Sequence, residues 1–282
     1  MAHGLAGVGA GVGTLVNGAM LPALMQAVGV NDTLRIMAAL NFVLMAAAGI
    51  FFSIPIRKSE ARSNFKKPPP SSQSEIWGKI WRHRTLNIMY LGIFVASFGL
   101  WIPTVYMVRY AKDAGYSESN ADGLVTFIGI GGLVGRIPTA FASDSLGQRQ
   151  TVSYSIVILG IMSLLLWKLI ESYVALAAYA CITGWCVGAF MSLLGPCIAE
   201  AVEGQIDIMP TATTLAFSIL GIGFMSGPPI GGVVFEAFGT FSATFFVGGV
   251  QMLVGIFLLL FSVKLSSFCS VIKDGDQSET QA

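Results

Sequence analysis

Eight apolar runs follow one another along this chain, each near the 20 or so residues a helix needs to cross a bilayer, and they leave little for a water-soluble element. They lie at 4–28, 36–56, 86–108, 121–142, 152–169, 173–198, 211–235 and 242–263. Hydrophobic residues make up 54% of the sequence and charged residues only 11%, more apolar surface than a soluble core could hide. The expected fold is an all-α membrane protein of about eight transmembrane helices, with the lipid bilayer as its first partner.

Several function classes drop out early. A formal net charge of +1 gives no sign of a nucleic-acid partner. Cys181, Cys186, Cys197 and Cys269 form no paired framework, and three of them share one apolar run, where they read as small buried hydrophobes. No Cys-x-x-Cys occurs, and His3 and His83 are far apart, so no metal or other cofactor is expected. Neither histidine neighbours a nucleophile and no carboxylate pair falls within a run, which argues against an enzyme.

The first two runs are separated only by residues around Asn31 and Asp32, so they are expected to form a hairpin. Next comes a proline-bearing, basic linker at 57–84, which holds eight of the sixteen Lys and Arg residues. Six further runs fill 85–264, and a solvated, unstructured tail is expected over 265–282. If the linker is cytoplasmic, that side collects eleven cations, the eight of the linker with Arg149, Lys264 and Lys273. Only Arg35, Arg109, Lys112 and Lys168 face the other side. By the positive-inside rule both termini are cytoplasmic. Trp77, Trp81, Trp101 and Trp167 stand near run ends, where an indole suits the interface or, alternatively, packs in the core.

Thirty-three glycines suit helices that must approach closely in lipid. Gly7, Gly9, Gly11 and Gly13, the pairs Gly131 with Gly135 and Gly184 with Gly188, and the ladder Gly223, Gly227, Gly231 are expected contact seams, which could also join a second copy into a homo-oligomer. Gly227-Pro228-Pro229 breaks helical hydrogen bonding within a run and marks a kink that serves either gating or shape.

Arg136 is the one cation inside a run, where a charge costs at least about 2.5 to 3.5 kcal/mol unless paired or hydrated. It either faces a polar cavity and grips a carboxylate through two parallel hydrogen bonds, or snorkels to the headgroups along its own helix. Tyr90, Phe94, Phe127 and Ser192 are the polar and aromatic candidates for lining a solute passage, with packing as the alternative for each. Asp144, Gly147 and Arg149 fall in a tight turn, where the acid can cap the next helix or pair with the basic neighbour. Glu200, Glu203 and Asp207 read as a solvated acidic face.

Three stretches resemble the major facilitator superfamily, and within it the monocarboxylate-transporter group of fungal type. Residues 2–11 are similar to the end of the group's signature at its fifth helix. Gly132-Leu133-Val134-Gly135-Arg136 falls where the eighth helix carries a substrate arginine, and Gly227-Pro228-Pro229-Ile230-Gly231 resembles a motif of the eleventh. Asp144, Gly147 and Arg149 also match the superfamily's turn between helices eight and nine, where a gate is locked, although Ser145 and Gln148 replace basic positions.

The resemblance implies a partial fold equivalent to helices 5–12, with 1–56 a remnant of the first half and the first four helices absent. It further implies alternating-access transport of a small carboxylate, in the plasma membrane, with symport of a proton as one coupling. Against that coupling, Gly132 stands where the group has an acid one turn before the arginine. Transport of another solute on the same fold, or a non-transporting membrane protein, are the alternatives.

Overall fold

The computed structural model describes residues 2–53, 73–165, 172–202, 205 and 207–279, and these form nine helices with no strand among them. In chain order they are α1 (Ala2–Ser53), α2 (Gln73–Arg82), α3 (Arg84–Asp113), α4 (Glu118–Val134), α5 (Arg136–Leu146), α6 (Gln148–Leu165), α7 (Tyr173–Val202), α8 (Met209–Phe238) and α9 (Phe241–Glu279). Six stretches are long and apolar enough to cross a bilayer: Leu15–Ile50, Arg84–Asp113, Glu118–Leu146, Tyr173–Val202, Met209–Phe238 and Phe241–Ser262. Two of the eight expected runs are not separate among these six. The stretch Leu15–Ile50 joins the first two runs across a kink at Gly29, and its 36 residues are far more than one crossing needs. The run at 152–169 continues past the last described residue of α6, with Trp167 and Lys168 outside the described residues.

The break between the first two runs falls at Gly29 rather than at Asn31 and Asp32. Two helices meet there, Gly29 leaving helical geometry with φ 80° and ψ 171°, a region that a side chain would strain. Thr33 Oγ1 donates to Gly29 O at 2.7 Å, and Asp32 pairs with Arg35 at 3.1 Å, so the polar residues that looked like a loop instead start the next helical segment. Of the linker, 57–72 lies outside the described residues, while its end forms α2 and the start of α3. The tail differs from the expected coil, because α9 keeps a helical backbone to Glu279; propagation adds one bond for each residue fixed.

Glycines bring the helices together. Gly131 and Gly184 sit so close to the opposite backbone that a Cβ on either would stand 1.9 Å from a carbonyl oxygen, that of Cys181 for the first and Ile128 for the second. Gly223, Gly227 and Gly231 meet α3 at Ser97, Phe98 and Tyr106, as their spacing predicts. Gly13 of the first-span row instead faces open space, and α1 touches α4 through Gly18 against Val125. A seam that the sequence reading missed joins α3 to α9, where Gly92 and Gly99 lie against the carbonyls of Gly255 and Gly248. Two tyrosines then clasp α3 to α8, Tyr90 Oη donating to Ala212 O at 3.0 Å and Tyr106 Oη to Pro228 O at 2.6 Å. Both bonds join residues 122 apart in sequence, so the two helices run parallel.

Gly184→Ala should lower stability by at least about 1 to 3 kcal/mol, because the added methyl has a backbone oxygen in its way. Gly221→Ala, at a glycine with nothing within 4 Å, should be neutral or slightly stabilising. Thermal unfolding of the two variants in detergent checks the pair.

Candidate functional site

Arg136 opens α5, directly after a one-residue interruption at Gly135. Pro138 causes that interruption, since it has no N–H to return to Val134 O one turn earlier. The break is held from α7. The Trp185 ring lies flush on Gly135, where a Cβ would meet Cδ1 at 2.1 Å. Its Nε1 donates to Thr139 Oγ1 at 2.7 Å, and that hydroxyl donates to Gly135 O at 2.7 Å. Backbone and indole therefore fix the direction in which Arg136 leaves its helix.

The side chain leans onto α7, with Nε 3.3 Å from the place a Cβ would occupy on Gly188. Nε and Nη1 are both shut from solvent and have no hydrogen-bond partner. Arg136 stands ten residues before Leu146, about 15 Å of helix, and its Cβ tilts toward the N-terminus, away from that nearer end. Two guanidinium nitrogens shut from water without a partner among the described residues are costly to hold.

Ser192 lies one turn beyond Gly188 on the same face of α7, and its hydroxyl donates to Gly188 O. The face continues through Gly195 to Ala199, which lines a cleft of about 570 Å³ with Ser143, Gly147, Gln148, Pro196, Glu200, Met209 and Thr213. A neighbouring cleft of about 590 Å³ follows α8 from Met209 to Ser218. Neither includes Arg136, which lies deeper in the bundle along the same face of α7.

The turn beside the first cleft contains a second ion pair. Gly147 has φ 93° and ψ 152°, which only glycine adopts without strain, and it turns α5 into α6. Arg149 follows at the start of α6, 8% exposed, at the positive end of that helix dipole. It faces Glu200 of α7 at 3.7 Å, too far for a hydrogen bond but close enough for an ion pair. The expected Asp144–Arg149 pairing is thereby replaced, and Asp144 is exposed. Asp207 is likewise engaged rather than free, held by Lys79 of α2, whose hydrogen bond keeps its carboxyl below the usual range. Glu203 lies outside the described residues.

Of the sequence candidates, the structure brings Arg136 and Ser192 together and leaves three elsewhere. Tyr90 is buried, with its hydroxyl committed to α8. Phe94 packs edge-on against Phe98 at 4.7 Å, on α3 beside α8. Phe127 is nine residues from Arg136, half a revolution round the helix and about 14 Å along it, against Tyr173. Gly227 packs on Phe98 O, and the Pro228-Pro229 step leaves α8 unbroken to Phe238. Gly135 and Gly188 stand in seams expected from the sequence, whereas Thr139 and Trp185 were missed, because they act only across the α5–α7 contact.

With this geometry in place, likenesses to known proteins can be read. The Major Facilitator Superfamily profile matches residues 89–270. Monocarboxylate transporter 10 of Danio rerio is 26% identical over 260 residues, covering 90% of this chain and 50% of that protein. The mouse protein of the same name is 28% identical, with 90% and 51% covered. The MFS-type transporter hasB of Aspergillus fumigatus is 26% identical, with 90% and 58% covered. Among solved structures, the Escherichia coli fucose:proton symporter FucP superposes with a TM-score of 0.55 at 16% identity, over 68% of this chain and 46% of that one. The chain spans about half the length of the curated relatives it matches.

His83 supplies the testable element at this end of the bundle. Its Nδ1 accepts from Leu86 N at 3.3 Å and so caps α3. Burial first, with Arg149 adding repulsion, holds its pKa below the ordinary 6.5 and outweighs a backbone hydrogen bond that favours protonation. The folded state therefore binds fewer protons at this site than the unfolded chain. The stability contributed is fully present above pH 6.5 and lost as pH falls through the lowered value. Melting curves should show the wild type losing stability relative to His83→Asn on acidification, since asparagine caps but does not titrate. Parallel curves would contradict this role.

Proposed function

The chain belongs to the Major Facilitator Superfamily, and on that premise we propose that it works in the transport of small organic anions, monocarboxylates foremost, by alternating access. In this fold a solute sits near the midplane between two helical halves, and α3–α9 constitute one of them. The observation that carries the reading is the Arg136 guanidinium, whose Nε and Nη1 are shut from solvent with no hydrogen-bond partner among the described residues. A carboxylate matches its fork with two charge-assisted hydrogen bonds and cancels its charge, whereas a neutral solute does only the first.

The Gly188, Ser192, Gly195, Ala199 face of α7 gives the solute a path of small residues from the inner cleft to the arginine. Arg149 with Glu200 and Gly147 form the gate that closes this path. By the charge asymmetry the gate end with both termini is cytoplasmic, and the plasma membrane is the default location for such a transporter. The relatives named monocarboxylate transporter 10 agree with the anion class.

Coupling to protons is the weaker part of the family expectation. No carboxylate stands one turn before Arg136, and the glycine there, Gly132, lies against α7 with a Cβ position only 3.3 Å from Gly184 O. The nearest acid on its own helix, Asp144, is two turns further on, beyond direct reach of the guanidinium. Movement of the anion down its gradient, with the substrate as the only neutraliser of Arg136, suits this geometry better than symport through an acid–arginine pair.

Uptake of a labelled short-chain carboxylate into vesicles containing the chain tests the reading. Arg136→Lys keeps the charge but loses the fork, and should cut uptake at least about tenfold, the worth of one charged hydrogen bond of 1.5 to 3 kcal/mol. Ser192→Ala should cost only a few-fold. Equal uptake by Arg136→Lys and wild type, with both melting alike, would refute carboxylate binding at this residue.

A further inference from the structure

Beyond Lys79, no residue of helix α2 has a role above, and its faces are unusual. It is ten residues long, with Ile76 and Ile80 buried against the bundle one turn apart. Next to them on the helix surface, Trp77 and Trp81 are also one turn apart and are 40% and 68% exposed. An isolated helix this short is marginal in water, so covering only the isoleucine half of the apolar arc leaves the other half in need of an apolar medium.

The exposure is not slack. Asn87 Nδ2 of α3 donates to Trp81 O at 2.7 Å, Lys79 is bound to Asp207 before α8, and His83 caps the following helix. Both indoles are thus held out from the protein by three ties to membrane-crossing elements. Arg82 and Arg84 complete the pattern: both are exposed, neither has an ion pair among the described residues, and they stand at the end of α2 where α3 begins its crossing.

We propose that α2 is a lipid-binding anchor. Trp77 and Trp81 sink into the headgroup layer of the leaflet at the N-terminal end of α3, and Arg82 and Arg84 hold anionic phospholipid headgroups. The height of the helix supports this occupant over a protein partner, since α2 joins α3 through His83 alone and lies at the level where that helix enters lipid. Indoles favour this layer for their apolar ring and single donor, and each neighbouring cation adds electrostatic attraction to an acidic leaflet. Through Lys79 and Asp207 the anchor also fixes the start of α8.

The full chain in phosphatidylcholine nanodiscs, doped with a minor fraction of phosphatidylglycerol brominated near the headgroup, provides the test. Tryptophan emission should be quenched more by brominated phosphatidylglycerol than by equally brominated phosphatidylcholine. The excess should vanish in the Trp77→Phe, Trp81→Phe double variant. Arg82→Gln and Arg84→Gln should each lower the preference about fivefold, and added salt should lower it further. Equal quenching by the two lipids, or an excess that survives the double tryptophan variant, would overturn the proposal.

Discussion

Hydrocarbon offers a helix neither hydrogen bonds nor a hydrophobic drive toward its neighbours, so this bundle is held by how closely backbones can approach. At Gly131 and Gly184 the approach is so tight that no side chain fits. The same α4–α7 contact continues into Gly135 and Gly188, which accept the Trp185 ring and the Arg136 stem respectively. Packing and site are one seam. Arg136 lies along this contact because glycine leaves it a place, with no hydrogen-bond partner for its Nε and Nη1 among the described residues.

The ends of the bundle show the complementary solution. Where the helices emerge, charges are met by charges from other elements: Arg149 by Glu200 and Lys79 by Asp207 at one end, Lys112 by Asp122 at the other. The solvent-facing pairs contribute little to stability, typically below about 1 kcal/mol. They tie α2 to the start of α8, α6 to α7 and α3 to α4.

The crossings were legible because an apolar run of about 20 residues announces itself without any periodicity. The position of the first break was not, since it falls at Gly29 rather than at the polar Asn31 and Asp32. Seams spaced by four, on α4, α7 and α8, could be read directly. The α3–α9 seam escaped because Gly92 with Gly99, and Gly248 with Gly255, recur at seven, two turns apart. For the site, a lone cation among apolar residues identified Arg136. The face each aromatic would take depends on neighbours, so Tyr90, Phe94 and Phe127 were drawn in on residue type alone, and Trp185 and Thr139 were passed over because their role exists only between helices.

The central claim is that Arg136 holds its interior position for a carboxylate bound directly to its guanidinium. Solid-state NMR of the chain in lipid, with carboxyl-13C substrate and guanidino-15N arginine, measures that contact. The account predicts a dipolar coupling of hydrogen-bonded length that is present in the wild type and absent in Arg136→Lys. A bound substrate whose carboxyl carbon couples to no arginine nitrogen would contradict it.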